Sequence, residues 1–379
     1  MATTVTAAPR SATAAVPAES GTRRAVEFLL VGGATPLLFA LSYALRRSFG
    51  LGPTEYAIGF LTFYGAHLIN DPHFAVTYLL FYKNARGRAL GDLFPPFQRV
   101  RYLLAGFVVP LVLALWAAYA LSSRSAFALG LLIQLMFFLV GWHYVKQGFG
   151  VMTVLAARRG VRFDPAERRV LLAHAFLGWA YAWASPFDPG RAIEEKGVVY
   201  WSVRHPAGLE ALTRTLCFAS AAVVVVMLAR KWRREGALPI ATPLTAFLVS
   251  VWTWSIYSSA DPLVRYVIPA LHSVQYLYFV WLLRRGEAVE REGPPWFETS
   301  AQVRMGILAV SALALGWVLF HGAPTALDDL LVPKKSRLTD MGPTPYFAAL
   351  YAFVNIHHYF MDFVIWRREN PETRYLTAV

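Results

Sequence analysis

The chain has 379 residues, of which 56% are hydrophobic and only 16% charged, with a mean hydropathy of +0.43 and a formal net charge of +13. Soluble domains carry about a quarter charged residues, so this composition excludes an ordinary soluble enzyme and predicts an all-α, polytopic membrane protein. The basic excess does not point to nucleic acid: in membrane proteins Lys and Arg gather in cytoplasmic loops and orient the chain.

Residues 1–25 are rich in Ala, Thr and Ser without apolar periodicity, and predict a disordered cytoplasmic tail. Apolar blocks of about 20 residues suit a membrane helix. They predict about ten spans, at 26–45, 56–82, 102–121, 126–156, 169–186, 209–229, 239–259, 263–283, 304–322 and 345–366, followed by a short cytoplasmic tail at 367–379. The first block is expected to be a retained helix and not a cleaved signal. With both termini inside, about 24 of the 36 Lys and Arg fall on the cytoplasmic side and about 11 outside. That asymmetry predicts an integral protein of the inner (plasma) membrane with cytoplasmic ends. The one cysteine, Cys217, excludes an internal disulfide.

Six of the nine histidines interrupt these apolar blocks: His67, His73, His143, His272, His357 and His358. Counted at 1.5 Å per residue, they lie on the order of 13–24 Å from the cytoplasmic boundary. They come from spans two, four, eight and ten, which run in the same direction in this topology. His174, His205 and His321 fall nearer span ends or in a loop and are expected to be structural or exposed.

A polar partner recurs beside each deep histidine. "HLIND" pairs His67 with Asp71, "HYVKQ" His143 with Gln147 and "HYFMD" His358 with Asp362, all at i+4; "HSVQ" pairs His272 with Gln275 at i+3. Both spacings share a helix face. Inward-facing histidines and carboxylates on facing helices are how bundles build metal sites. A single intramembrane histidine is commonly an interhelical hydrogen bond, but six at matched depth mark a functional site. The expected ligands are His67, Asp71, His73, His143, His272, His357, His358 and Asp362. Gln147 and Gln275 are expected behind them, orienting the imidazoles. Lys146, Asp71 and Asp362 are the candidate catalytic groups, Lys146 pairing with a carboxylate or with an anionic part of the substrate. Pro72 lies between His67 and His73, which an unbroken helix would hold about 240° apart. A break at Asn70-Asp71-Pro72 is expected to swing His73 back onto the same metal as His67.

At "NIHHYFMD" and "HLINDPHF" the chain resembles the histidine-rich integral-membrane oxygenases: fatty-acid desaturases, hydroxylases and alkane monooxygenases. The arrangement is also similar to the membrane carotene-cleaving dioxygenases. The matching text covers about 40 residues. The resemblance implies one or two non-haem iron ions, a lipid or other apolar small-molecule substrate within the membrane, and a separate electron donor. The ligand chemistry alone admits iron or zinc. A zinc-dependent intramembrane hydrolase and a proton-coupled transporter with a His/Asp relay are the alternatives.

Overall fold

The structure is a computed structural model describing residues 21–184, 192–236, 238, 241–332 and 340–377; most of the expected N-terminal tail, residues 1–20, lies outside the described residues. Helix α1 (Gly21–Phe28) passes through a π-helical turn at Leu29–Gly33 into α2 (Ala34–Phe49). Gly32 makes this kink with φ +126°, a conformation open to glycine. Then come α3 (Leu51–Ala66), α4 (Asn70–Tyr82), α5 (Ala85–Ala89), α6 (Pro96–Leu103), α7 (Val109–Ser122), α8 (Ala126–Arg158) and α9 (Pro165–Ala184). An antiparallel hairpin, β1 (Ala192–Glu195) and β2 (Val198–Trp201), interrupts the helices. It is followed by α10 (Leu209–Glu235), α11 (Ala241–Leu248) with a π-helical extension to Ile256, and α12 (Pro262–Glu292). Next are α13 (Ala301–Trp317), a π turn at Val318–Gly322, α14 (Ala323–Leu331), α15 (Pro345–Ile365) and, after a short 3-10 turn, α16 (Arg374–Thr377).

The fold is therefore all-α apart from one small hairpin among the described residues. Among the described residues, six helical stretches are long and apolar enough to cross a membrane: Gly21–Phe49, Pro96–Ser122, Ala126–Arg158, Leu209–Glu235, Pro262–Glu292 and Ala301–Leu331. The other four expected spans coincide with α3–α4, α9, α11 with its extension, and α15. All are helical, but length and composition do not support a count of ten. A break divides α3 from α4, and Ala241–Ile256 is short. Glu167, Arg168 and Arg169 open α9, and His357, His358 and Asp362 interrupt α15.

Charged groups collect where the helices carrying the deep histidines end. Lys83, just after α4, bonds Glu287 near the end of α12 at 2.6 Å. Buried Arg88 bonds Glu372, beyond α15, at 2.9 Å. Arg158, the last residue of α8, donates to the Leu376 carbonyl at 3.0 Å. The C-terminal ends of α4, α8, α12 and α15 therefore meet at one end of the molecule, and these helices run parallel. Leu376 is itself buried, so the segment after α15 packs against the bundle. Glu27 of α1 joins the same end through Arg159 and Tyr278.

At the other end, Asp261 caps α12 by accepting from the Leu263 and Val264 amides, and also takes Ser42 and Arg46 of α2. The start of α15 is capped from another helix: both carboxylate oxygens of Asp328 in α14 accept backbone N–H groups, from Tyr346 and Phe347, each at 2.9 Å. Removing such a cap costs about 1–2 kcal/mol. Asp328→Ala is expected to lower the thermal midpoint in detergent and to speed amide exchange at Tyr346 and Phe347. Unchanged exchange there would show that the cap does not hold the helix end.

Candidate metal centre

Five of the predicted side chains converge in the bundle interior: His73 of α4, His143 of α8, His272 of α12, and His358 and Asp362 of α15. All are buried, His358 completely. His143 Nε2 and His272 Nε2 face each other at 3.0 Å. Asp362 Oδ2 lies 3.7 Å from His143 Nε2 and 3.4 Å from His358 Nε2. The rings of His73 and His358 are 4.4 Å apart between centroids. Single donor atoms of His73, His143 and His272 lie within 4.8 Å of one another, as do those of His143, His358 and Asp362. The two trios share His143 and form one cluster.

The surrounding residues aim these donors. Tyr276 donates to Asp362 Oδ1 at 2.8 Å and is 2.6 Å from Thr77 Oγ1. Ser273 lies 3.2 Å from His73 Nδ1 and donates to the Pro269 carbonyl at 2.8 Å. With its hydroxyl hydrogen so used, Ser273 accepts from His73 Nδ1–H, leaving the Nε2 lone pair free for the cluster. Phe74, Tyr144 and Tyr359 pack on the rings of His358, His272 and His143, which makes the walls aromatic.

The other predicted residues go elsewhere. His67 and Asp71 lie in a second group with His321, where His321 Nε2 is 2.8 Å and His67 Nδ1 3.5 Å from Asp71 Oδ2. The expected convergence of His67 and His73 on one metal is thus not what the structure shows. The break falls at His67–Ile69, before the anticipated position, and Pro72 sits in the first turn of α4. Proline is tolerated there because first-turn amides have no intrahelical partner. His357 also departs from the expected ligand set. Its Nδ1 is 3.0 Å from the Tyr78 hydroxyl and its Nε2 3.1 Å from the Ala105 carbonyl, so both nitrogens are engaged away from the cluster.

Gln147 and Gln275 do not orient an imidazole N–H. Gln147 donates to Gln275 at 2.8 Å and to the His272 carbonyl at 3.2 Å. Gln275 donates to the Val31 carbonyl beside the Gly32 kink at 2.7 Å. The pair therefore ties α8, α12 and the first helix together behind the cluster. Lys146 lies over the rings of Phe363 and Trp142, at 4.2 and 5.4 Å, and not against Asp71 or Asp362. His174 bonds Ser220 and His205 rests against Trp183. His321, Tyr276, Ser273 and Thr77 are the site residues that the i+4 pattern does not reveal, since each acts on a different helix.

The donor set fits a metal ion. His73 Nε2, His272 Nδ1 and both nitrogens of His358 are buried without a hydrogen-bond partner. Each buried unsatisfied group costs about 1–3 kcal/mol, and the bilayer core offers no water to relieve it. Neighbouring ligands on an ion at about 2.1 Å lie about 3.0–3.4 Å apart, close to the contacts of His143 with His272 and of His358 with Asp362. Comparison with protein-family models, curated proteins and solved structures finds no match for the chain. The chemistry accordingly rests on the site itself.

Because the helix break precedes Pro72, Pro72→Ala is expected to leave His73 in place. Titrated with Co(II), this variant should match the parent, whereas His73→Ala should lose affinity at least tenfold. Equal losses in the two variants would show that the proline does aim His73.

Proposed function

We propose that this chain is a membrane-embedded, metal-dependent oxidoreductase that holds non-haem iron in the deep cluster and acts on a lipid or other apolar substrate. The observation that carries this reading is the convergence of four imidazoles and one carboxylate, with buried ring nitrogens unanswered by any protein group. Five nitrogen and oxygen donors exceed the four that zinc usually takes, and they suit iron, which accepts imidazole and carboxylate together. The two overlapping trios would hold one ion or two.

His73, His143, His272, His358 and Asp362 would hold the iron, whose contribution when bound is redox chemistry with dioxygen or a peroxide. Tyr276 and Thr77 hold the Asp362 carboxylate in place, and Ser273 sets the tautomer of His73. The aromatic walls exclude water and favour an apolar substrate reaching the site from the bilayer. A separate protein or small-molecule donor supplies the electrons. A second reading draws on the His143–His272 contact at 3.0 Å: without metal, this pair would share a proton and serve as one step of a transport relay. Purified protein is expected to carry one or two equivalents of iron by elemental analysis and to consume oxygen when a reductant and an apolar acceptor are supplied. Metal-free protein that stays folded and moves protons would replace the first reading with the second. Stoichiometric zinc without iron would favour a hydrolase.

The topology belongs to the same proposal. Ten crossings with both ends in the cytoplasm agree with the Lys and Arg asymmetry and with the common end of α4, α8, α12 and α15. Reporters fused at the C-terminus and within 83–101 should both report cytoplasm, and one inserted between 332 and 340 the outside. Opposite locations for the first two would break the parallel arrangement.

A further inference from the structure

We propose that His67, Asp71 and His321 form a second metal site, separate from the deep cluster, which takes one divalent first-row ion such as zinc or ferrous iron. One donor atom from each lies within 4.8 Å of the others. Asp71 Oδ2 is shared, 2.8 Å from His321 Nε2 and 3.5 Å from His67 Nδ1, and the two rings pack at 4.0 Å between centroids. His67 Nδ1 is buried yet has no hydrogen-bond partner. A hydrogen bond between His321 and Asp71 alone would leave that nitrogen unanswered; an ion among the three answers it.

The local fold brings the three donors together. Helix α13 approaches α4 so closely at Gly316 that a Cβ there would stand 2.8 Å from the Asp71 carbonyl carbon and 3.1 Å from its Cβ. In an unbroken α-helix, position 321 would lie about 140° around from 316. The π turn at Val318–Gly322 closes its bonds over five residues instead of four, which turns His321 back towards the face that meets Asp71. The helix break at His67–Ile69 ends α3 at the same place and brings in His67. A π turn, a helix break and a glycine contact thus coincide at three metal-binding side chains.

Two imidazoles and one carboxylate leave positions open on a four- to six-coordinate ion, as catalytic sites do. The side chains of His67 and His321 are 32% and 25% exposed, while that of Asp71 is 4% exposed. The open side therefore faces outward. Exposed Phe63 and Tyr64 lie beside His67, with exposed Leu68 next to it in the chain. The remaining ligand is water or an oxygen of an amphiphilic molecule at that apolar rim. No donor is shared with the deep cluster, so the site does not depend on the redox chemistry proposed there.

The test strips the purified full-length protein with a chelator and titrates it with Co(II) in detergent, following equivalents bound and the ligand-field spectrum. His67→Ala and His321→Ala are each expected to bind one equivalent fewer than the parent and to keep the deep-site spectrum. His272→Ala is expected to keep the outer equivalent. His67 is partly exposed, so His67→Ala serves as the variant least prone to misfold, with its elution profile as the check. Equal uptake by the parent and both outer variants would overturn the second site. Loss of all binding in His272→Ala would also overturn it, by showing that the trio does not bind alone. Parent-like uptake in His272→Ala, with one equivalent lost in His67→Ala, would leave the outer site standing and remove the deep one.

Discussion

A neutral imidazole has one nitrogen that gives a hydrogen bond and one that accepts, and within a bilayer only protein or a bound ion can answer them. That constraint governs the interior of this molecule. His357 meets it with protein groups alone, through Tyr78 and Ala105. His73 meets half of it through Ser273, and His358 meets none of it. In the deep cluster the rings of His73, His272 and His358, each with a nitrogen left unanswered, pack against one another or against His143. Packing alone would have been served better by leucine at these positions, since a buried polar group without its partner destabilises the fold. Their convergence is therefore not explained by packing.

Such a cluster demands axial accuracy. Sliding a helix by one residue moves a side chain about 1.5 Å along the axis and about 100° around it, enough to remove any ring from the contacts of 3.0–3.7 Å that define the site. Apolar packing in lipid tolerates such slips, because one lipid-facing leucine replaces another. The ends of the helices do not. Lys83 with Glu287, Arg88 with Glu372, and Arg158 with the Leu376 carbonyl tie the four site helices to one another and to the segment after α15. At the opposite end, Asp261 and Asp328 fix where α12 and α15 begin. The polar ends thus set the register that brings the imidazoles into contact.

The helical class was legible from the apolar blocks; depth picked out the four imidazoles of the deep cluster together with His67 and His357, which lie elsewhere, and i+4 spacing marked only Asp362 beside His358. Both signals are periodic properties of single helices. What stayed hidden depends on events between or within helices. Adjacent residues lie about 100° apart, so His357 and His358 face different neighbours although the pair reads as one box. Gln147 and Gln275 satisfy i+4 and i+3 spacing with a histidine, yet they meet each other, because the kink at Gly32 presents the Val31 carbonyl to Gln275. His321 was assigned by its nearness to a span end. Counted from the basic end of its own helix at Arg304, it lies about 26 Å in, and His67, counted from Lys83, lies about 24 Å in. Depth measured from the common end would have paired them.

The same count separates two layers. The four deep imidazoles lie about 14–23 Å from that end and those of His67 and His321 about 24–26 Å, while Asp71, at about 18 Å, is set apart from the deep cluster by the side of α4 it occupies. The short stretch "HLINDPHF" spans both layers because α4 starts inside it. Residues two apart on a helix point about 200° from each other, so Asp71 and His73 in the first turn of α4 cannot serve one site. Asp71 faces α13 and His321, whereas His73 faces α12 and α15. A carboxylate in the first turn also suits the positive end of the helix dipole, and the proline between them lacks only an amide hydrogen that this turn does not use. Asn70, Asp71, Pro72 and His73 are therefore one helix start serving as a partition, with a different set of donors on each side.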